Sequence, residues 1–210
     1  MIVVIDYGMG NVGSIMNMLK KIGAQAVLSR HPDDIAQAER LILPGVGSFD
    51  TGMRNLRELG IQYVLNRRVV ADGIPILGIC LGMQLFTKKS EEGRELGFGW
   101  LDAETLRFSF DQGTEKLKLP HMGWNDVQLC QPASCFPLQQ QERRFYFVHS
   151  YYIRCNAPDD ILMRTSYGID FTSSFCHKNI LGVQFHPEKS HRFGIEFFEA
   201  FLAWTPGRKG

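Results

Sequence analysis

Three residues, one of them more than a hundred positions before the other two, have the side-chain types and neighbours that nucleophilic catalysis needs: Cys80, His186 and Glu188. Cys80 stands in Pro75-Ile76-Leu77-Gly78-Ile79-Cys80-Leu81-Gly82-Met83-Gln84, an apolar run that passes straight into a helical pattern, with a glycine two positions to either side. A strand-to-helix corner of this kind is the cysteine form of a nucleophile elbow, in which a tight turn lifts the reactive atom out and small neighbours leave room around it. At a helix N-terminus, unpaired N–H groups favour the thiolate and are also placed to hold an oxyanion. Alone, the segment reads at least as well as a small core cysteine packed between glycines.

The second segment shifts that balance. In Gly182-Val183-Gln184-Phe185-His186-Pro187-Glu188 a buried strand ends in a histidine with a carboxylate two residues later. The proline between them stiffens the backbone, so Glu188 can fold back and fix one imidazole tautomer while the other nitrogen faces a thiol. A histidine that merely ends a strand is the duller alternative for this motif, as an ordinary turn is for the third. That third segment, Leu41-Ile42-Leu43-Pro44-Gly45-Val46-Gly47-Ser48-Phe49, is a strand followed by a glycine loop whose amides could add a donor to an oxyanion hole. Two motifs, each at a strand end, support one another where neither suffices.

Positioning these groups requires a sheet. The first half alternates apolar runs with helical stretches: 2–5 then 13–22, 26–28 then 32–38, 41–43 then 51–59, and 74–79 then 81–86. This predicts βαβ units and parallel strands. The second half predicts strands with short turns over 101–108, 125–129, 144–152, 161–167, 170–177 and 180–185, with a more antiparallel character. An amphipathic helix over 192–204 precedes a Pro206-Gly207-Arg208-Lys209-Gly210 tail. The expected architecture is a three-layer α/β domain over 1–204, with a mixed, largely parallel sheet flanked by helices, and a flexible 205–210 tail.

Composition narrows the field. With 210 residues, 44% of them hydrophobic and 21% charged, the chain supports one substantial core. A net charge of +1 gives no general electrostatic reason to expect nucleic acid or a membrane surface. Met1-Ile2-Val3-Val4-Ile5-Asp6 reads as a first strand rather than a leader, and cysteines at 80, 130, 135, 155 and 176 include no C-x-x-C pair. We therefore expect a cytoplasmic protein with no disulfide framework and no metal. His31, His121, His177 and His191 lack metal-ligand spacing and read as structural or exposed.

Five blocks together carry a resemblance: P-G-V-G at 44–47, G-I-C-L-G-M-Q at 78–84, H-M-G-W-N at 121–125, F-Y-F-V-H-S-Y at 145–151 and V-Q-F-H-P-E-K-S at 183–190. The chain resembles the class I glutamine amidotransferases and, within them, the glutaminase subunits of imidazole glycerol phosphate synthase, from Asp6 to the last helix. The resemblance implies that Cys80 is the nucleophile, His186 the acid and base, and Glu188 its orienter. Leu81 N–H and the loop Gly45-Val46-Gly47 would form the oxyanion hole, while Gln84 and the His149-Ser150-Tyr151 backbone would grip the amino-acid end of L-glutamine. It also implies a heterodimeric partner, a (β/α)8-barrel synthase/cyclase subunit docked around Asn11, Trp124, Tyr146 and Lys189, and no cofactor. Coupling of this kind makes the resting loop 45–47 a candidate switch.

Two rivals compete. Gly8-Met9-Gly10-Asn11-Val12-Gly13 follows a strand and opens a helix, matching the dinucleotide fingerprint, but the second strand ends in Ser29-Arg30-His31 without the expected acidic residue. A paralogous glutaminase that supplies a sugar amidotransferase of surface polysaccharide synthesis is the other.

Overall fold

A computed structural model describes residues 1–110, 117–130 and 143–207. The stretch 130–141 matches none of the blocks that carry the resemblance, and all of it beyond Cys130 lies outside the described residues, as does the end of the tail. The first half builds β1 (Ile2–Ile5), α1 (Val12–Lys21), β2 (Ala26–Ser29), α2 (Pro32–Ala36), β3 (Arg40–Leu43), α3 (Phe49–Glu58), α4 (Ile61–Leu65), β4 (Ile76–Ile79) and α5 (Leu81–Gln84). The second builds β5 (Ala103–Arg107), β6 (His121–Leu129), β7 (Arg143–His149), β8 (Tyr151–Cys155), β9 (Ile161–Tyr167), β10 (Ile169–His177), β11 (Ile180–Val183) and α6 (His191–Ala203).

One mixed sheet runs in the order β2-β1-β3-β4-β11-β10-β9-β6-β7, with β8 pairing β10 and β5. The pairs from β2 through β11 are parallel, and those from β10 onward are antiparallel. The parallel strands are short and apolar; β4 and β11 are buried at every position, as expected for strands covered on both faces. Successive residues therefore feed different cores. Val3, Leu41, Leu43 and Ile76 pack under α2 to α5, whereas Val4, Ile42, Leu77 and Ile79 pack under α1 and α6 through Ile15, Leu19, Phe197 and Phe201. Asn11 and Ser48 start their helices by accepting from the N–H of Ser14 (3.3 Å) and Thr51 (3.4 Å).

Three local expectations change. The run 61–71 forms α4 and a following π-helical turn (Asn66–Ala71), which its β-branched residues had concealed. The single strand expected over 144–152 breaks at Ser150 into β7 and β8, because each half pairs with a different neighbour, β6 for one and β5 with β10 for the other. Cys176 is disulfide-bonded, where cysteine spacing gave no reason to expect a bridge; Cys80, Cys130 and Cys155 are free. No helix among the described residues is long and apolar enough to cross a membrane.

Candidate active site

Three adjacent parallel strands, β3, β4 and β11, release the chain at the same edge, and the three sequence motifs meet there. Cys80 has φ 53° and ψ −110°, a left-handed conformation costing on the order of 1–3 kcal/mol for a residue with a Cβ. What holds it is the packing around the elbow. Cys80 N–H donates to the Val183 carbonyl at 2.8 Å, and a Cβ at Gly78 or Gly82 would collide with Phe86 or with the Leu43 carbonyl. Only glycines let α5 come this close to β4 and to the end of β3.

His186 and Glu188 are both buried, with Nδ1 and Oε1 2.8 Å apart across the Pro187 turn. Ser190, quoted in a motif but given no role from sequence, ties that turn down: its Oγ donates to the His186 carbonyl (2.7 Å) and accepts from Tyr146 N–H (3.0 Å). The second ring nitrogen, Nε2, is buried without a partner of full hydrogen-bond geometry. Burial works against a charge on this ring. Cys80, through its charge and an imperfectly aligned hydrogen bond, and Glu188 together overcome that, and the histidine is pushed up to about 10. Loose thiol-to-imidazole alignment is common before substrate binds.

Cys80, His186, Leu81 and Gln84 share a cavity of about 240 Å3 with Val46, Gly47 and the His149-Ser150-Tyr151 segment, enough for an amino-acid-sized ligand. The cavity also presents Glu92, which sequence reading missed. This carboxylate accepts from Phe49 N–H at 2.8 Å; its pKa is raised by burial and, despite that bond, by the neighbouring charge of Asp50. Gln84 donates to the Tyr151 carbonyl (3.3 Å) and to Gln184 (3.0 Å), whose own amide lies 3.5 Å from the Cys80 sulfur.

The glycine loop lines the cavity through Val46 and Gly47, and its Gly45 carbonyl reaches back to the elbow. Leu81 N–H donates to the Gly45 carbonyl at 3.4 Å, so one backbone donor at the elbow is already taken. Tyr7, buried, donates to the Pro44 carbonyl at 2.7 Å and anchors the start of the loop; burial first, then Cys80, drives its pKa upward. A Cβ on Gly45 would lie 2.6 Å from Gly82 N and 2.8 Å from the Tyr7 hydroxyl, while Val46 beside it is exposed.

Trp124, Tyr146 and Lys189 come together at one rim. Trp124 is 40% exposed, meets Tyr146 edge-on at 6.5 Å and stacks on His191 at 5.6 Å, and the Lys189 ammonium lies 5.7 Å over the Tyr146 ring. Asn11 is exposed at the start of α1, which packs beside the Pro187–Lys189 turn. The dinucleotide reading finds no support: Arg30 pairs with Asp6 at 2.5 Å, and a Cβ on Gly10 would lie about 3.0 Å from Pro44 and Gly45, so this glycine is engaged with the neighbouring loop. Among the described residues no cluster of metal-ligating side chains occurs.

Residues 3–203 match the family model for class I glutamine amidotransferases, and the chain belongs to that family. Solved structures with the same fold include PurLQS from Thermotoga maritima (TM-score 0.73, 17% identity, 96% of each chain) and a further glutamine amidotransferase from the same organism (TM-score 0.62, 18% identity, 96% of this chain and 81% of that one). Among sequence relatives, imidazole glycerol phosphate synthase subunit HisH 2 of Methanococcus maripaludis is 52% identical over 202 residues, covering 96% of this chain and 98% of the relative. The HisH 2 protein of Pseudomonas aeruginosa is 49% identical over 205 residues, at the same coverage.

Proposed function

We propose that the chain hydrolyses L-glutamine to glutamate and ammonia, and that it hands the ammonia to a (β/α)8-barrel synthase subunit making imidazole glycerol phosphate and aminoimidazole carboxamide ribotide in cytoplasmic histidine biosynthesis. The observation that carries this is a strained, buried Cys80 sharing one amino-acid-sized cavity with a histidine already held by a carboxylate. The Cys80 thiolate attacks the carboxamide carbon, His186 protonates the departing ammonia, and the same imidazole then takes a proton from the water that opens the glutamyl thioester. Glu188 keeps the ring in the tautomer that presents Nε2. The Glu92 carboxylate suits the α-ammonium of glutamine, and the His149-Ser150-Tyr151 backbone with Gln84 suits its carboxylate end.

The oxyanion hole is assembled on demand. Leu81 N–H becomes available only when the Gly45 carbonyl lets go, and turning the Val46 peptide over aims a second N–H at the same point. The partner, docked on Trp124, Tyr146, Lys189 and Asn11 and loaded with its own nucleotide, drives that turn. Ammonia must stay unprotonated between sites, which favours a closed route through this rim.

The test is product formation by the complex with the barrel partner and its nucleotide. Glutamine-dependent synthesis should vanish in Cys80→Ala while synthesis from added ammonium persists; glutamine-dependent turnover by that variant would overturn the assignment. Rescue of a histidine auxotroph lacking its glutaminase subunit separates the histidine pathway from supply of a sugar amidotransferase.

A further inference from the structure

Two histidines outside the proposed triad face each other across β6 and β7. His121 and His149 are directly paired in the register, 3% and 6% exposed, with Nδ1 of His121 2.9 Å from Nε2 of His149. Every proton along this line can be placed. The Tyr151 carbonyl, 2.7 Å from His149 Nδ1, only accepts, so Nδ1 carries a proton. At the far end Asn125 accepts from Asp126 N–H through Oδ1 and donates through Nδ2 to the Ser166 carbonyl (3.0 Å), so the same Nδ2 also donates to His121 Nε2 (3.2 Å). His121 is left with its proton on Nδ1, pointing at His149. Burial pulls both rings down, to about 4 for His121 and about 3 for His149, so both are neutral at physiological pH. His121 is clamped flat between Phe147 and Tyr167, at 4.8 and 4.0 Å, with no freedom to swing away.

The Tyr151 carbonyl is also the acceptor for Gln84, and Gln84 leads through Gln184 to the Cys80 sulfur. Two arms of fixed polarity thus converge on one carbonyl in the wall of the glutamine cavity, one starting at the nucleophile and the other at Asn125, next to Trp124 on the docking rim. We infer that His121 is a positioning residue: its Nδ1–H locks His149 in the tautomer that holds the His149-Ser150-Tyr151 segment in its glutamine-binding shape. This rests on the proposed glutaminase reading and extends it, since His121 touches neither the substrate nor the reacting atoms. Without that donor, His149 is free to carry its proton on Nε2, and its bare Nδ1 then faces the Tyr151 carbonyl lone pairs.

The test compares His121→Phe, which keeps the flat stack and loses the donor, with His121→Asn, whose amide N–H restores a donor near the Nδ1 position. In the complex with the barrel partner and its nucleotide, His121→Phe should raise KM for glutamine about tenfold, the worth of one net hydrogen bond, with kcat within about threefold of wild type. His121→Asn should return KM to within about threefold. An unchanged KM in His121→Phe, or a His121→Asn variant no better than it, overturns the inference, whereas an inactive wild-type complex would overturn the glutaminase reading instead. Should either variant fold poorly, 15N spectra of the wild-type chain decide: both imidazoles should be neutral with Nδ1 protonated, and an Nε2–H signal from either one sinks the proposal.

Discussion

The parallel and antiparallel halves of the sheet divide the labour. Strands β3, β4 and β11 end together and deliver the glycine loop, Cys80 and the His186-Pro187-Glu188 turn to one edge, each through a short connection whose geometry is set by local sequence. Strands β6 to β8 deliver the opposite wall of the cavity, the histidine pair and the aromatic rim, and there position depends on which residue faces which across the ladder. Parallel βα corners place reacting groups, and antiparallel pairing shapes what they react with. Changes in the first half should therefore strike turnover, and changes in the second should strike affinity.

The sharpest way to break this division is Cys80→Ala, expected to lower glutaminase kcat by at least about 10⁴-fold without altering glutamine affinity by more than a small factor. Isothermal titration with glutamine alongside the rate assay would reveal an affinity loss that the comparison forbids. Glu188→Gln should cost about 10²- to 10⁴-fold in kcat, because the ring loses its orienter while nucleophile and base remain. Its His186 15N titration should move to lower pH. Gly45→Ala comes next, with a loss of about 10- to 100-fold, since the new Cβ meets Gly82 N, Leu81 Cβ and the Tyr7 hydroxyl. Stopped assays with and without partner would show whether basal or activated turnover suffers. On the antiparallel side, Trp124→Ala should weaken partner binding about tenfold, measured by titration calorimetry, and leave partner-saturated kcat nearly intact.

The smallest effect is on stability against pH, and it too separates the halves. His186 has its folded pKa raised above its ordinary value, to about 10, so its contribution is complete below about pH 6.5 and fades as pH climbs toward 10. His121 and His149 have theirs lowered by burial, so they favour the native state above about pH 6.5 and tax it as pH falls toward 4 and 3. Melting temperature should peak near neutrality. Cys80→Ala should flatten the alkaline limb and His121→Phe the acid limb, each as read by scanning calorimetry across buffers; the reverse pattern would break the assignment of limbs to halves.

Much of the parallel half was legible in the sequence because its devices are local. An elbow is glycines two places from a cysteine, and the histidine turn is three consecutive residues. Glu92 could not be read, because a carboxylate in Glu91-Glu92 looks like any solvated charge until the fold sets it beside the cavity. His121 and His149 each lay in a quoted block, yet their pairing depends on a strand register that no short window encodes. The helix over 61–65 escaped for the opposite reason, its local pattern being weak and its place fixed by burial of Ile61, Val64 and Leu65.

The contact between Leu81 N–H and the Gly45 carbonyl sets a ceiling as well as a resting state. A neutral hydrogen bond nets about 0.5–1.5 kcal/mol, and here it is stretched to 3.4 Å, so releasing it shifts the shut-to-ready ratio by no more than about tenfold. An acceleration by partner much beyond that must be drawn from donors gained in the turned loop, each worth roughly a hundredfold or more. On the proposed reading the latch is weak, and glutamine wasted by an unaccompanied subunit should be limited by the missing second donor rather than by the grip of the first.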